Sequence, residues 1–266
     1  SSEEDIVPES NPTEFIFTNN IHSSLPAEWT TEFHKIMKIL NDLIPIKPNN
    51  YFYELPIYAW NSSIDKPYSD KIGNASGASI SGQGASVNGK IMILEINKDE
   101  FEWNQMHRYS VICHKYYHVY QMSISQNFFD GNKKIELKWM SEDGAATFES
   151  LYIQQHYSYN YFKDAQTSVD ISAINSPSIF ETYSASQDKD NNYSSSVFML
   201  LALSKELQKT GLTEPQAFKL ILKEYWMKNP TSGDWKVKFQ ETFNISVDQF
   251  YESLKSYTND INTVIP

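Results

Sequence analysis

His114-Lys115-Tyr116-Tyr117-His118 sets two imidazoles four residues apart. On a helix, positions i and i+4 share one face, one turn apart. Their ring nitrogens can then reach one zinc ion at roughly 2.0–2.1 Å. Further on comes Trp139-Met140-Ser141-Glu142-Asp143-Gly144-Ala145-Ala146. A two-histidine, one-glutamate zinc site takes its carboxylate from a separate helix. Glu142 begins such a helix, and Gly144-Ala145 would let the two helices approach closely. The bland alternative makes Glu142 and Asp143 favourable charges in a first helical turn. His114, His118 and Glu142 are the candidate metal ligands, with zinc the candidate ion.

The pentapeptide departs from the motif H-E-x-x-H at one place, where lysine stands for glutamate. Cys113-His114-Lys115-Tyr116-Tyr117-His118-Val119-Tyr120-Gln121, followed by Trp139-Met140-Ser141-Glu142-Asp143-Gly144-Ala145, resembles the gluzincin metallopeptidases. That clan contains thermolysin and the zinc aminopeptidases. Its pattern is H-E-x-x-H, then tryptophan-x-x-glutamate on the next helix. Asn192-Tyr193-Ser194-Ser195-Ser196-Val197-Phe198-Met199-Leu200-Leu201 is similar to the clan's tyrosine segment. Residues 233–239 and 243–250 look like its closing helices. The resemblance spans roughly residues 85–257, and the blocks at 114–142 are its specific part. It implies zinc held by His114, His118 and Glu142, and a tetrahedral oxyanion steadied by Tyr193, with Tyr183 a second candidate. It also implies a cleft edge at the strand Ile91–Ile96, where an extended peptide or protein partner would pair through its main chain.

Lys115 is the departure. The motif glutamate of these enzymes takes a proton from water and passes it to the leaving amine. A charged lysine cannot accept one, and neutralising it at pH 7 from an ordinary pKa costs about 4.6 kcal/mol. An ion pair between Lys115 and Glu142 could also replace the metal, being worth about 4 kcal/mol at 4 Å in an intermediate dielectric. The expectation is weak or absent metal and little turnover. Three functions follow: an impaired, endopeptidase-like zinc peptidase, either a natural pseudoenzyme or an inactivated variant of an active enzyme; a non-catalytic peptide- or partner-binding protein; or a structural helical lobe with an incidental histidine pair.

Composition limits the alternatives. With 40% hydrophobic and 21% charged residues the 266-residue chain suits a folded protein. A net charge of -11 argues against nucleic acid and anionic membrane as partners. The single cysteine, Cys113, excludes an intrachain disulfide and a cysteine zinc site. The longest apolar run, residues 197–203, is far too short to span a bilayer. An expectation of secretion rests on the absent initiator methionine and on the habits of secreted peptidases.

The patterning gives an α+β chain: an N-terminal mixed α/β lobe with a small sheet, the active-site helix, then a mostly α-helical lobe. Residues 1–12 read as an acidic tail, 13–125 as the α/β lobe with the histidine helix, and 126–266 as the helical lobe carrying the third ligand. Strands are expected near 14–18, 51–60 and 90–96, and helices over 27–43, 102–125, 138–157, 197–208, 214–227 and 247–257. Residues 73–89 read as loop or hairpin ending in the turn Asn88-Gly89. Asp234 and Ser246 stand where N-caps would. Gly84-x-x-x-x-Gly89-Lys90 is no phosphate loop, because Ile91 replaces Ser/Thr and a strand follows.

Overall fold

The computed structural model describes residues 12–81, 89–129, 135, 137–182 and 188–266. Residues 1–11 of the expected tail, Asn88 and Tyr183 lie outside the described residues. The fold is α+β, with strands near the N-terminus and helices beyond. Strands β1 (Ile16–Ile21), β2 (Glu54–Asn61), β3 (Ala78–Ser81) and β4 (Ile91–Ile96) form one sheet in the order β1-β2-β4-β3. The pairs β1·β2 and β2·β4 are parallel; β3 runs antiparallel to β4, with Ala78 opposite Leu94.

β4 is therefore interior, which corrects the cleft edge expected at Ile91–Ile96. Ile91, Met92, Ile93 and Leu94 are all buried, so both faces of the strand are covered. Such a run belongs in the middle of a sheet. The edge on that side is β3, drawn from the Gly/Ser/Ala-rich stretch.

Helix α1 (Ala27–Leu43) buries Trp29, Phe33, Ile36 and Leu40, a stripe at the 3.6-residue period. It is tied to the histidine-bearing helix His107–Ile124, the motif helix, at both ends. Trp29 Nε1 donates to Arg108 O at 2.9 Å, and the Tyr116 hydroxyl donates to Ile44 O at 3.0 Å. The motif helix starts later than the pattern suggested. Lys98–Glu102 closes as a separate short helix behind an Asn97 capping box, and Asn104 then takes φ 49°. Asparagine enters that left-handed region more readily than most residues.

The carboxylate helix (Lys138–Tyr157) is buried on much of its surface, and Lys138, Asp143 and Glu149 lie inside along with its apolar residues. Trp139, Met140 and Ala146 join the core of the helical region, while Ala145, Tyr152 and Ile153 join the core built on α1 and the sheet. Ile124, Phe128 and Leu222 pack against both cores. Gly144 faces Tyr117 and Gln121, but a Cβ there would meet them at 3.5 Å or more, an ordinary contact. Close helix approach therefore does not demand glycine.

The tyrosine helix (Lys189–Lys209) begins well before the apolar run that signalled it, because Asp188 caps the Asp190 and Asn191 amides. Ser246 caps Val247–Leu254 in a capping box with Gln249. Asp234 does not cap Trp235–Phe243; its carboxylate accepts from Thr231 N at 2.7 Å instead. No helix of the described residues is long and apolar enough to cross a membrane.

Candidate metal centre

The motif helix and the carboxylate helix bring His114, His118 and Glu142 together. The two Nε2 atoms are 3.2 Å apart. Glu142 Oε1 lies 2.9 Å from His114 Nε2, and its Oε2 lies 3.0 Å from His118 Nε2. One ligand atom from each residue falls within 4.8 Å of the others. Tetrahedral donors at roughly 2.0–2.1 Å from zinc stand about 3.3 Å from one another. The observed spacing needs only slight expansion to accept such an ion.

Further partners decide what the rings present. His114 Nδ1 faces Glu149 Oε1 at 3.0 Å, and His118 Nδ1 faces Gln121 Oε1 at 2.7 Å. The Gln121 amide is oriented by its own Nε2, which donates to Ser141 O at 3.1 Å. Both Nδ1 atoms thus donate, and in neutral rings both Nε2 atoms carry lone pairs. Two lone pairs and a carboxylate aimed at one point repel unless a cation sits among them. A proton can serve. Burial opposes charge on His114, but Glu149 and Glu142 outweigh it and raise the pKa to about 9. Burial lowers that of His118 despite Glu142. Burial also works against ionised Glu142, yet its hydrogen bonds to the two imidazoles hold the carboxyl far below the usual range. A divalent ion would satisfy all three groups at once.

Glu149 and Gln121 were not singled out from sequence. The available signal was spacing: Glu149 follows Glu142 by seven residues, two helical turns, and Gln121 follows His118 by three. Histidine ligands are regularly oriented by such outer partners. Glu149→Leu is expected to weaken zinc binding roughly 10–100-fold. Competition with a chromophoric chelator measures this; unchanged affinity would show that Glu149 plays no part in holding the metal.

Lys115 and Tyr193 both reach the centre's surroundings. A cavity of about 370 Å³ is lined by His114, Lys115, Glu142, Glu149 and Tyr193, among others. Lys115 makes no ion pair among the described residues, so the alternative in which it bridges to Glu142 in place of the metal is not the arrangement seen. Neighbours on a helix point about 100° apart, and both Glu142 oxygens already face imidazoles. Burial lowers the Lys115 pKa, although Glu142 and Glu149 pull it back. The Tyr193 hydroxyl donates to Glu142 Oε1 at 3.3 Å.

Beneath the centre, Lys138 Nζ lies 2.7 Å from Asp143 Oδ2, donates to Ser196 Oγ at 3.2 Å and stands 4.3 Å from the Tyr193 ring centroid. Lys138 and Asp143 are both buried. The lysine therefore joins the carboxylate helix to the tyrosine helix. The helix starts at Lys138, so Glu142 and Asp143 lie past its first turn and are not charges placed for the dipole. Comparison of the chain with family models, curated proteins and solved structures finds no match.

Proposed function

We propose that the chain is a zinc-peptidase scaffold of gluzincin type, endopeptidase-like, that binds an extended peptide and whose turnover is suppressed by Lys115. One observation carries this: two imidazole nitrogens and a carboxylate converge on a single point between two helices. Two nitrogens and one carboxylate suit zinc with an open position. A bound zinc would supply Lewis-acid polarisation of a peptide carbonyl. His114, His118 and Glu142 would hold it, while Glu149 and Gln121 keep the rings oriented.

The chain's other groups divide the remaining work. The Tyr193 hydroxyl is a donor placed beside Glu142, suited to charge building on a carbonyl oxygen. β3 is a sheet edge, and its Ala78 lines the cavity, so a peptide can add to it through main-chain hydrogen bonds. Lys115 stands at the position of the motif's base, and an ammonium group has no lone pair with which to take a proton. The reading as a purely peptide-binding protein draws on the same residue. Its ammonium has no ion-pair partner among the described residues and is available to a ligand carboxylate.

Zinc titration of chelator-treated protein tests the scaffold. The wild type is expected to take up at most one equivalent, and weakly, because the Lys115 ammonium lines the same cavity; Lys115→Gln should take up one equivalent more tightly. His118→Ala and Glu142→Ala should each lose more than the ~10–100-fold that removal of an outer partner costs. Equal uptake by His118→Ala, or none by either the wild type or Lys115→Gln, would leave the histidine pair as an incidental feature of a helical lobe.

A further inference from the structure

A second concavity lies on another flank of the motif helix. Tyr117, Tyr120 and Ile124 share a helix face about a quarter turn from the histidines. They form one side of a groove of about 490 Å³, within the range of small-molecule sites. Tyr117 stacks on Phe148 with centroids 5.1 Å apart. The end of α1 and the helix after Glu214 supply the walls, with Leu43 and Met227 exposed at the rim.

Two features bear on what would fill it. The first is charge. The groove is lined by Lys47, Lys219 and Lys223 and by no acidic side chain, on a chain of net charge -11. Lys219 pairs with Glu224 at 3.7 Å, whereas Lys47 and Lys223 make no ion pair among the described residues. The second is the wall itself. Leu220–Glu224 is a π-helical turn inside a longer helix, a feature that recurs at functional sites. Leu222 O accepts a hydrogen bond from the Tyr117 hydroxyl at 2.8 Å, so the groove wall is fastened to the motif helix.

We propose that this groove binds an anionic amphiphile: a single aliphatic chain ending in one carboxylate, its body against Tyr117, Tyr120, Phe148 and Leu222 and its head at the lysines. The lining includes no strand of the sheet, so an extended peptide would find no main-chain ladder to join. An apolar body with a single charge matches what the walls offer. The site shares no lining residue with the metal-side cavity and stands independently of the peptidase reading.

Calorimetric titration with sodium dodecanoate, below its micelle threshold, tests this on the full chain. One site is expected, with Kd on the order of 10–100 µM. Dodecyltrimethylammonium, with the same tail and opposite head charge, should bind at least ~10-fold more weakly. Lys47→Glu combined with Lys223→Glu should reverse that preference. Met227→Asp, at an exposed rim position, should weaken dodecanoate without changing the near-ultraviolet circular dichroism, and tests the site should the double variant fail to fold. No saturable dodecanoate binding, equal affinity for both head groups, or an unchanged preference in the folded double variant would overturn the assignment. So would capture of an acidic, apolar peptide in place of dodecanoate, which would make the groove a protein-docking surface.

Discussion

If the proposed scaffold is right, Lys115→Glu is expected to give a working peptidase. With zinc present, cleavage of casein or a quenched peptide library should rise by about 10²–10⁴, the usual contribution of a positioned general base. The side chain at 115 faces the cavity that His114, Glu142 and Tyr193 also line, so a carboxylate there would meet the metal side of a bound peptide. Lys115→Gln, which removes the charge but supplies no base, should bind zinc at least as tightly as the wild type and stay inactive. The pair separates two effects of the lysine: repulsion of the cation, and absence of a proton acceptor. If Lys115→Glu takes up zinc and still cuts nothing, the peptidase reading fails and the purely peptide-binding one gains.

Lys138→Met should be the most destabilising of the changes considered. It strands the Asp143 carboxylate, fully buried and with Oδ1 lacking a hydrogen-bond partner among the described residues. Breaking a buried pair from one side costs about 3–5 kcal/mol. For a chain of this size that is a fall in Tm of roughly 6–15 °C. The cost should depend on pH. Burial raises the Asp143 pKa to about 7, above its unfolded value, with Lys138 pulling the other way. A raised acid pKa means that the folded form gains from taking up a proton, so stability falls as pH climbs from the unfolded value through 7. The deficit of Lys138→Met is therefore expected to be greatest above pH 7 and to narrow towards pH 5. Lys138→Met combined with Asp143→Leu should recover most of the loss, since well-packed apolar pairs commonly replace buried ion pairs without cost. Thermal melts at pH 5 and pH 8 measure all three variants; a deficit that does not vary with pH would mean that the ammonium matters for packing rather than charge.

Much of the architecture was legible because it rests on local periodicity. The stripe Trp29, Phe33, Ile36 and Leu40 announces α1, and the apolar run of β4 announces a strand. A strand apolar on both faces belongs in the middle of a sheet, so the edge among the described strands falls to β3, whose short Ala-Ser-Ile-Ser sequence carries little strand signal. The start of the tyrosine helix was missed for a related reason. Lys189 to Ser196 is polar, and only the Asp188 cap marks where the helix begins.

The sequence by itself determined that two imidazoles share a helix face and that a lysine sits between them, because both follow from helical geometry. It also singled out Glu142 and Tyr193, though only through their motif context. Only the tertiary structure decided that the Glu142 carboxylate meets both Nε2 atoms, that Glu149 and Gln121 face the two Nδ1 atoms, and that Lys115 makes no ion pair among the described residues. The physical reason is range. Periodicity orders residues along one helix, whereas the approach and rotation of a second helix are settled by cores to which distant segments contribute.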